Sequence, residues 1–499
     1  MYRRREIQHP DLGLISLPFQ GTLDPQNRWL ILANEIPWTV VEDEYTKTMD
    51  ARMGAGTINA RIAFGALVIK EKLHITDEET AQQIKENPYL QCFLGYHGFL
   101  MKEPFNPSMM VYFRLRFPME AVSRINNLIV ERRLGKKDGE GSGSAGPSDP
   151  AGSEVAEEKP NAGQMISDAT CAPQDIHFPT DIDLLNDARE KAEQIIDVLH
   201  ENRGDRNATK VRTYRKKARK EYLNLVRKKR KTRREIRRAI RKQIQYLRRD
   251  LAHIKEMAKD GALMKLGRRQ YRNLLVASEI LRQQTEMYKK RTDRIDGRIV
   301  SLSQPHVRPI VRGKTGRPVE FGAKISLSVV DGMCFLDRLS WDAYNESQDL
   351  IEQIETYRQR FGVYPESVHA DKIYRTRGNL AFCKEHGIRL SGPKLGRPFK
   401  IREEMAKVIR EQRQVEHADE CKRVEVEGKI GECKRRYNLG QIYEKLKPTS
   451  ETAIALGILM MTLERILRDS FFFVLLLCTR WCKKLLLRGV FPEDQCYAS

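Results

Sequence analysis

What the chain lacks narrows its class first. Its nine cysteines are odd in number, scattered, and contain no Cys-x-x-Cys pair. That excludes a disulfide framework and reads as reduced, intracellular thiols. His417 and Cys421 stand one helical turn apart, but no second pair accompanies them, so the sequence offers no zinc site. Long apolar runs are missing too. The strongest, 471–478, is far shorter than the about 20 residues a membrane span needs, and Arg480, Lys483 and Lys484 follow it. The first residues carry Arg3, Arg4 and Arg5 and no apolar stretch, against the expectation for a secretory leader. A Walker loop is absent, because Gly313-Lys314-Thr315 has Arg308 where the earlier glycine is required. Acid is the scarce charge: 67 Asp+Glu face 89 Lys+Arg, a net of +22. Such a balance points to a polyanionic partner, nucleic acid above all.

What is present changes character along the 499 residues, enough chain for two or three domains. Residues 1–135 read as several short helices, with Trp29 and Trp38 as core anchors and Thr76 to Glu79 as a capping box. Asn87-Pro88 ends one helix, and Ser108 is placed to cap another that bears Arg114 and Arg116. This pattern suits a helix-turn-helix DNA reader and equally a plain helical bundle. Residues 136–163, rich in Gly, Ser, Pro and Glu, read as a flexible linker and domain boundary. Between 207 and 290 basic runs dominate, such as Arg215 to Lys217 and Arg227 to Lys231. Ile240, Ile244, Leu247, Leu251 and Ile254 recur there at four-three spacing, the seam of a helical hairpin or short coiled coil. Arginines cover the other faces. They form either a solvated surface or a contact with nucleic-acid phosphates that reads no sequence.

Strand signals enclose this basic region. Residues 165–170 form a short apolar strand with Asp168 near its end. Residues 321–330 and 333–339 are joined at Asp331-Gly332, a hairpin signal, and a helix over 345–361 follows. Residues 366–370 deliver Asp371 to a strand's carboxyl end, before a basic turn with Lys372, Tyr374 and Arg375 and a helix to about 386. A carboxylate among cations suits a metal ion facing a polyanion, although Asp371 could also simply cap the helix. The order of these elements is ribonuclease-H-like, with 185–300 as an insertion. A third acid is then expected on the helix over 421–437. There Glu427 and Lys434 fall roughly 40° and 20° from Arg423 around the axis, on one face. That face suits a carboxylate on a metal with cations on phosphates, or else an ordinary Arg423–Glu427 surface pair. Glu425 and Glu432 point away from it.

Arg423, Glu427 and Lys434, read as Arg-(3)-Glu-(6)-Lys, resemble the signature of bacterial insertion-sequence transposases of the DDE class, in the group with an InsH-type helical N-terminal domain. Asn87-Pro-Tyr-Leu-Gln91 and Phe105-Asn-Pro-Ser-Met-Met-Val111 look like that N-terminal domain. Asp168-Ala-Thr-Cys-Ala-Pro-Gln-Asp175 looks like the first-aspartate segment. Residues 370–377 and 389–398 resemble the second-aspartate region, and 425–429 with 434–437 the glutamate region, so most of the chain is covered. The sequence departs from the pattern at Glu420, where tyrosine is frequent, at Ile373, where a small residue is common, and in the apolar tail after Asp469.

The resemblance implies an α+β, multidomain (α-β) chain. Residues 1–135 would be a helical DNA-binding domain, 136–163 a flexible linker and 164–470 a ribonuclease-H-like catalytic domain carrying the basic helical insertion 185–300. Residues 471–499 would be an apolar C-terminal tail. Asp168 and Asp371 would share one Mg2+ or Mn2+ ion and Glu427 would hold a second, while Arg423, Lys434, Lys372, Tyr374 and Arg375 contact DNA. The implied partner is double-stranded DNA, both terminal inverted repeats and target, bound by a homodimer at the bacterial nucleoid in the cytoplasm, with no membrane. Two alternatives remain: a non-catalytic DNA-binding protein derived from a transposase, and a ribonuclease-H-like nuclease that performs no strand transfer.

Overall fold

The computed structural model describes residues 22–49, 56–139, 160–202, 209–258, 261–311, 319–392 and 406–487. The loop at Gly313, most of the 136–163 stretch and the last twelve residues of the apolar tail lie outside them, as do 393–398 of the second-aspartate string.

Among the described residues seven helices come first: α1 (Arg28–Glu35), α2 (Trp38–Thr46), α3 (Ala60–Leu73), α4 (Asp77–Glu86), α5 (Pro88–Phe93), α6 (Met109–Arg116) and α7 (Met119–Gly139). Their starts follow capping chemistry. The Asn27 side chain accepts from the Trp29 amide at 2.9 Å, and the Thr76 hydroxyl from the Glu79 amide at 3.1 Å. Trp29 and Trp38 both pack on Phe93, with ring centroids 5.3 and 5.5 Å away. The basic helix α6 departs from expectation. Ser108 makes no side-chain cap, and Arg114 is buried against Asp77, with Glu444 3.5 Å away. Arg116 donates to the Thr48 carbonyl at 2.6 Å. A guanidinium so enclosed by carboxylates has no free donor edge for a phosphate.

A sheet of six strands among the described residues follows, made of β1 (Gln164–Pro173), β2 (Arg308–Val311), β3 (Val319–Val330), β4 (Met333–Ser340), β5 (Ser367–His369) and β6 (Arg389–Leu390). β3 is antiparallel to β1 on one edge and to β2 and β4 on the other; β5 runs parallel to β1, and β6 parallel to β5. Asp331 and Gly332 both have positive φ, 49° and 76°, which the two-residue turn between β3 and β4 demands. β1 is ten residues long, longer than the sequence pattern indicates. It continues to Pro173 because β3 approaches closely at Gly322, where any Cβ would collide with the Ala172 carbonyl. Asp168 therefore sits in mid-strand opposite Leu327, and lies beyond a strand end only with respect to β5.

The helices α12 (Leu350–Phe361) and α13 (Arg377–Glu385) connect the strands, α14 (Ala406–Arg436) crosses β1 and β5, and α15 (Lys447–Leu487) lies on β4. α15 also packs on α3, α6 and α7. One apolar core thus runs from Trp29 through Phe117 and the sheet to Leu459. Polar ties cross the same boundary: Asn126 donates to the Cys334 carbonyl at 2.9 Å, Thr452 to the Phe117 carbonyl at 2.9 Å, and Lys72 pairs with Glu464.

Between β1 and β2 the chain builds a bundle of α8 (Asp181–Glu201), α9 (Arg215–Val226), α10 (Arg233–Met257) and α11 (Arg268–Lys290). It has a separate core, in which Leu185, Ala188 and Ile196 meet Leu247, Ile254 and Ile280. The predicted seam is there: Ile244, Leu247 and Ile254 are buried, and Ile240 and Leu251 pack at its margin. Among the described residues no helix is long and apolar enough to cross a membrane.

Candidate active site

The sheet register sets two aspartates side by side. β1 and β5 are parallel, with Ile166 opposite His369, and Asp168 and Asp371 each lie two residues beyond that pair. They open into a polar cleft of about 730 Å3, together with Glu427, Arg423 and Lys434 from α14. Asp168, Asp371 and Glu427, from three separate elements, thus share one cavity.

Their surroundings differ. Asp168 Oδ1 accepts from the Ala169 amide at 2.8 Å. Burial pushes its pKa up to about 6; the amide and Arg423 oppose the shift, and the negative Glu346 and Asp371 add to it. Asp371 is half exposed. It does cap the short turn Lys372–Tyr374, accepting from the Lys372 amide at 2.6 Å, and it faces the cleft as well. Arg423 spans the other two acids, with Nη1 3.6 Å from Asp371 Oδ1 and Nη2 3.5 Å from Glu427 Oε1. The i,i+4 surface pair exists, inside a three-member array.

α14 is held in this register from behind. Val426 and Cys433 are buried beneath it. Asp419 accepts from Arg389 of β6 at 2.6 Å and stands 3.4 Å from the buried His369 of β5. Glu432 turns toward Arg468 at 3.3 Å, and neither it nor Glu425 lines the cleft.

Two of the expected DNA-contacting residues lie elsewhere than the sequence indicates. Tyr374 is fully buried: the short turn after Asp371 directs its third side chain into the core, and burial holds the phenol well above its usual range. Arg375 donates to the carbonyls of Leu390 at 2.8 Å and Ser391 at 2.6 Å, tying the turn to β6, and desolvation lowers its pKa. Tyr374 presents no donor to a DNA strand, and half-buried Arg375 has its Nη1 engaged by those carbonyls. Lys372 is exposed beside Asp371, and Lys434 lines the cleft.

The cleft also contains residues that sequence reasoning missed. Lys324 of β3 pairs with Glu346 at 2.8 Å and donates to the Tyr344 carbonyl at 2.9 Å. Glu346 is a fourth carboxylate on the cleft wall. An acid in the first turn after the capping residue Asn345 is an ordinary helix-start signal, so nothing in the sequence marks it as functional. Among the described residues no three His, Cys, Asp or Glu side chains are drawn close enough to hold a metal ion. Cys421 Sγ is 3.9 Å from His417 Nε2.

Residues 368–464 match the family described as "Transposase DDE domain", a span that includes Asp371, Arg423, Glu427 and Lys434. Residues 18–116 match "Transposase domain (DUF772)". An uncharacterized protein of Rhizobium meliloti, ORF8 in the nfe locus, is 28% identical over 112 residues, 22% of this chain and 54% of that protein. The chain therefore spans about half the length of this curated relative. No solved structure matches. Matches to a transposase domain on the N-terminal helices and to a DDE domain around the second aspartate and the α14 triplet together support an insertion-sequence DDE transposase.

Proposed function

We propose that this transposase cuts DNA at the ends of its insertion sequence and joins those ends to target DNA by two-metal phosphoryl transfer. The observation that carries this reading is the convergence of Asp168, Asp371 and Glu427, 203 and then 56 residues apart in sequence, on one cleft also lined by Arg423, Lys324 and Lys434. The strand order β4-β3-β1-β5-β6, with its first three strands antiparallel and the last three parallel, supports a ribonuclease-H-like domain.

The donor set fits hard divalent ions, because carboxylate oxygens are what Mg2+ and Mn2+ take. Asp168 is a buried carboxylate beside two further acids, and Arg423 already bridges Asp371 and Glu427 as a cation. When bound, two such ions activate the attacking oxygen and stabilise the leaving one. Asp168 and Asp371 would hold one such ion and Glu427 a second. Arg423 and Lys434 hold phosphates of the cut strand, and Lys372 meets DNA at the rim. Arg375 and Tyr374 keep the Asp371 turn in place from beneath. The nucleophile is first water and then the freed 3′-hydroxyl. Two ends must be joined, so the acting species is a homodimer on double-stranded DNA, in the bacterial cytoplasm at the nucleoid. Residues 1–135 read the terminal repeats, without Arg114.

Labelled DNA carrying the element's ends, incubated with Mg2+, tests the reading. Wild type is expected to cleave and join, and Asp371→Ala to do neither. Binding without cleavage by both proteins would favour a non-catalytic DNA-binding relative.

A further inference from the structure

The inserted bundle turns one face of α10 outward. Its exposed positions 234, 238, 241, 245, 248, 252 and 255 recur at the same four-three spacing as the buried seam on the other side. Arg234, Arg238, Arg241, Arg248 and Lys255 hold five of the seven; the other two are Gln245 and Ala252, so no acid interrupts the stripe. At 1.5 Å per residue it is about 31 Å long, close to the roughly 34 Å of one turn of duplex DNA.

These cations differ from several neighbours in their pairing among the described residues. Arg215 is paired with Asp197 at 2.7 Å, Lys242 with Glu221 at 2.7 Å, and Arg237 lies over the Tyr288 ring. No hydrogen bond or ion pair among the described residues engages any of the five stripe cations. Like charges at i,i+3 and i,i+4 oppose a helix, and α10 sustains them because its other face is packed on α8 and α11 and its start is closed by a Thr232–Glu235 capping box. The exposed link Arg227-Lys-Lys-Arg-Lys231 extends the positive surface at the N-terminal end of α10. In all, residues 209–258 contain 21 Lys and Arg against 4 Asp and Glu, a net of +17 within a chain of +22.

We propose that this stripe is a second DNA-binding surface, separate from the catalytic cleft, which grips duplex DNA along its phosphates without reading sequence. The choice of DNA as the polyanion rests on the proposed function; the stripe itself rests on charge, spacing and length. Guanidinium groups on a rigid rod suit a regular array of phosphates, and each neutralised phosphate releases counterions.

The test uses the full chain, a random-sequence duplex, EDTA in place of metal, and binding measured across a salt series. Replacing Arg238, Arg241 and Arg248 by Gln together should lower the slope of log affinity against log salt by about 3 and weaken binding ~10²-fold at 0.1 M salt. The three Arg→Lys changes should restore the slope with an unchanged circular dichroism spectrum, separating charge from folding. An unchanged slope in the Gln variant overturns the proposal, and so does a strong preference of the wild type for single-stranded RNA. Neither metal nor cleavage enters this readout. A failure of the cleavage reading would therefore leave this result standing, and the reverse also holds.

Discussion

The N-terminal helices and the inserted bundle are both all-helical additions to one sheet, yet they are attached by opposite physics. The first share the sheet's core through α15, and their charges turn inward, Arg114 to Asp77 and Lys72 to Glu464. The second keeps its own core and turns most of its charges outward, with one helix face whose only charges are positive. Shared apolar burial couples the folding of two regions, whereas a separate core with a charged exterior leaves a region free to act as a handle.

The largest expected effects probe that coupling. Phe117 is fully buried, packs on Tyr45 and Phe64, and has its carbonyl held by Thr452. Phe117→Ala should cost about 3–5 kcal/mol and lower the unfolding midpoint of the N-terminal helices and the sheet together. Leu247→Ala should cost about 2–5 kcal/mol but loosen the inserted bundle alone, seen as early protease cleavage within 181–300 while the sheet resists. A joint loss in both variants would break the comparison.

A smaller effect is specific to the bundle. Asp250 is fully buried in α10, and burial, aided by Glu193, pushes its pKa up to about 7. A carboxylate raised in the folded state binds more protons folded than unfolded. Bundle stability should then fall as pH rises from about 4 through about 7, by on the order of 2–4 kcal/mol. Urea midpoints at pH 5 and pH 8 measure this, and Asp250→Asn should flatten the difference. The smallest effect is expected from Thr232→Ala, which removes the α10 cap for about 1 kcal/mol and leaves the sheet untouched.

How much of this the sequence displays depends on the range of the interaction. Local chemistry is legible: the Thr76 cap, the Asp331-Gly332 turn, the α10 seam, and the face shared by Arg423, Glu427 and Lys434 all stand as the residues indicate. Long-range partners are not. Arg114 reads as an outward cation on a basic helix, yet Glu444, distant in sequence, helps to enclose it. Tyr374 reads as a DNA-side aromatic, and only the pitch of a three-residue turn sends it inward. Glu346 joins the cleft through a pairing with β3 that no local pattern encodes. The near-continuous burial along 452–463 of α15 records two partners, the sheet on one side and the N-terminal helices on the other, and a one-dimensional pattern cannot name either.

The central claim is that one glutamate of α14, selected by its face, completes a site with two aspartates of the sheet. Cleavage of element-end DNA with Mg2+ should be compared for Glu427→Ala and Glu425→Ala, two changes of identical chemistry two residues apart. The account predicts that Glu427→Ala abolishes cleavage while still binding the DNA, and that Glu425→Ala cuts like wild type. Cleavage surviving in Glu427→Ala would contradict it.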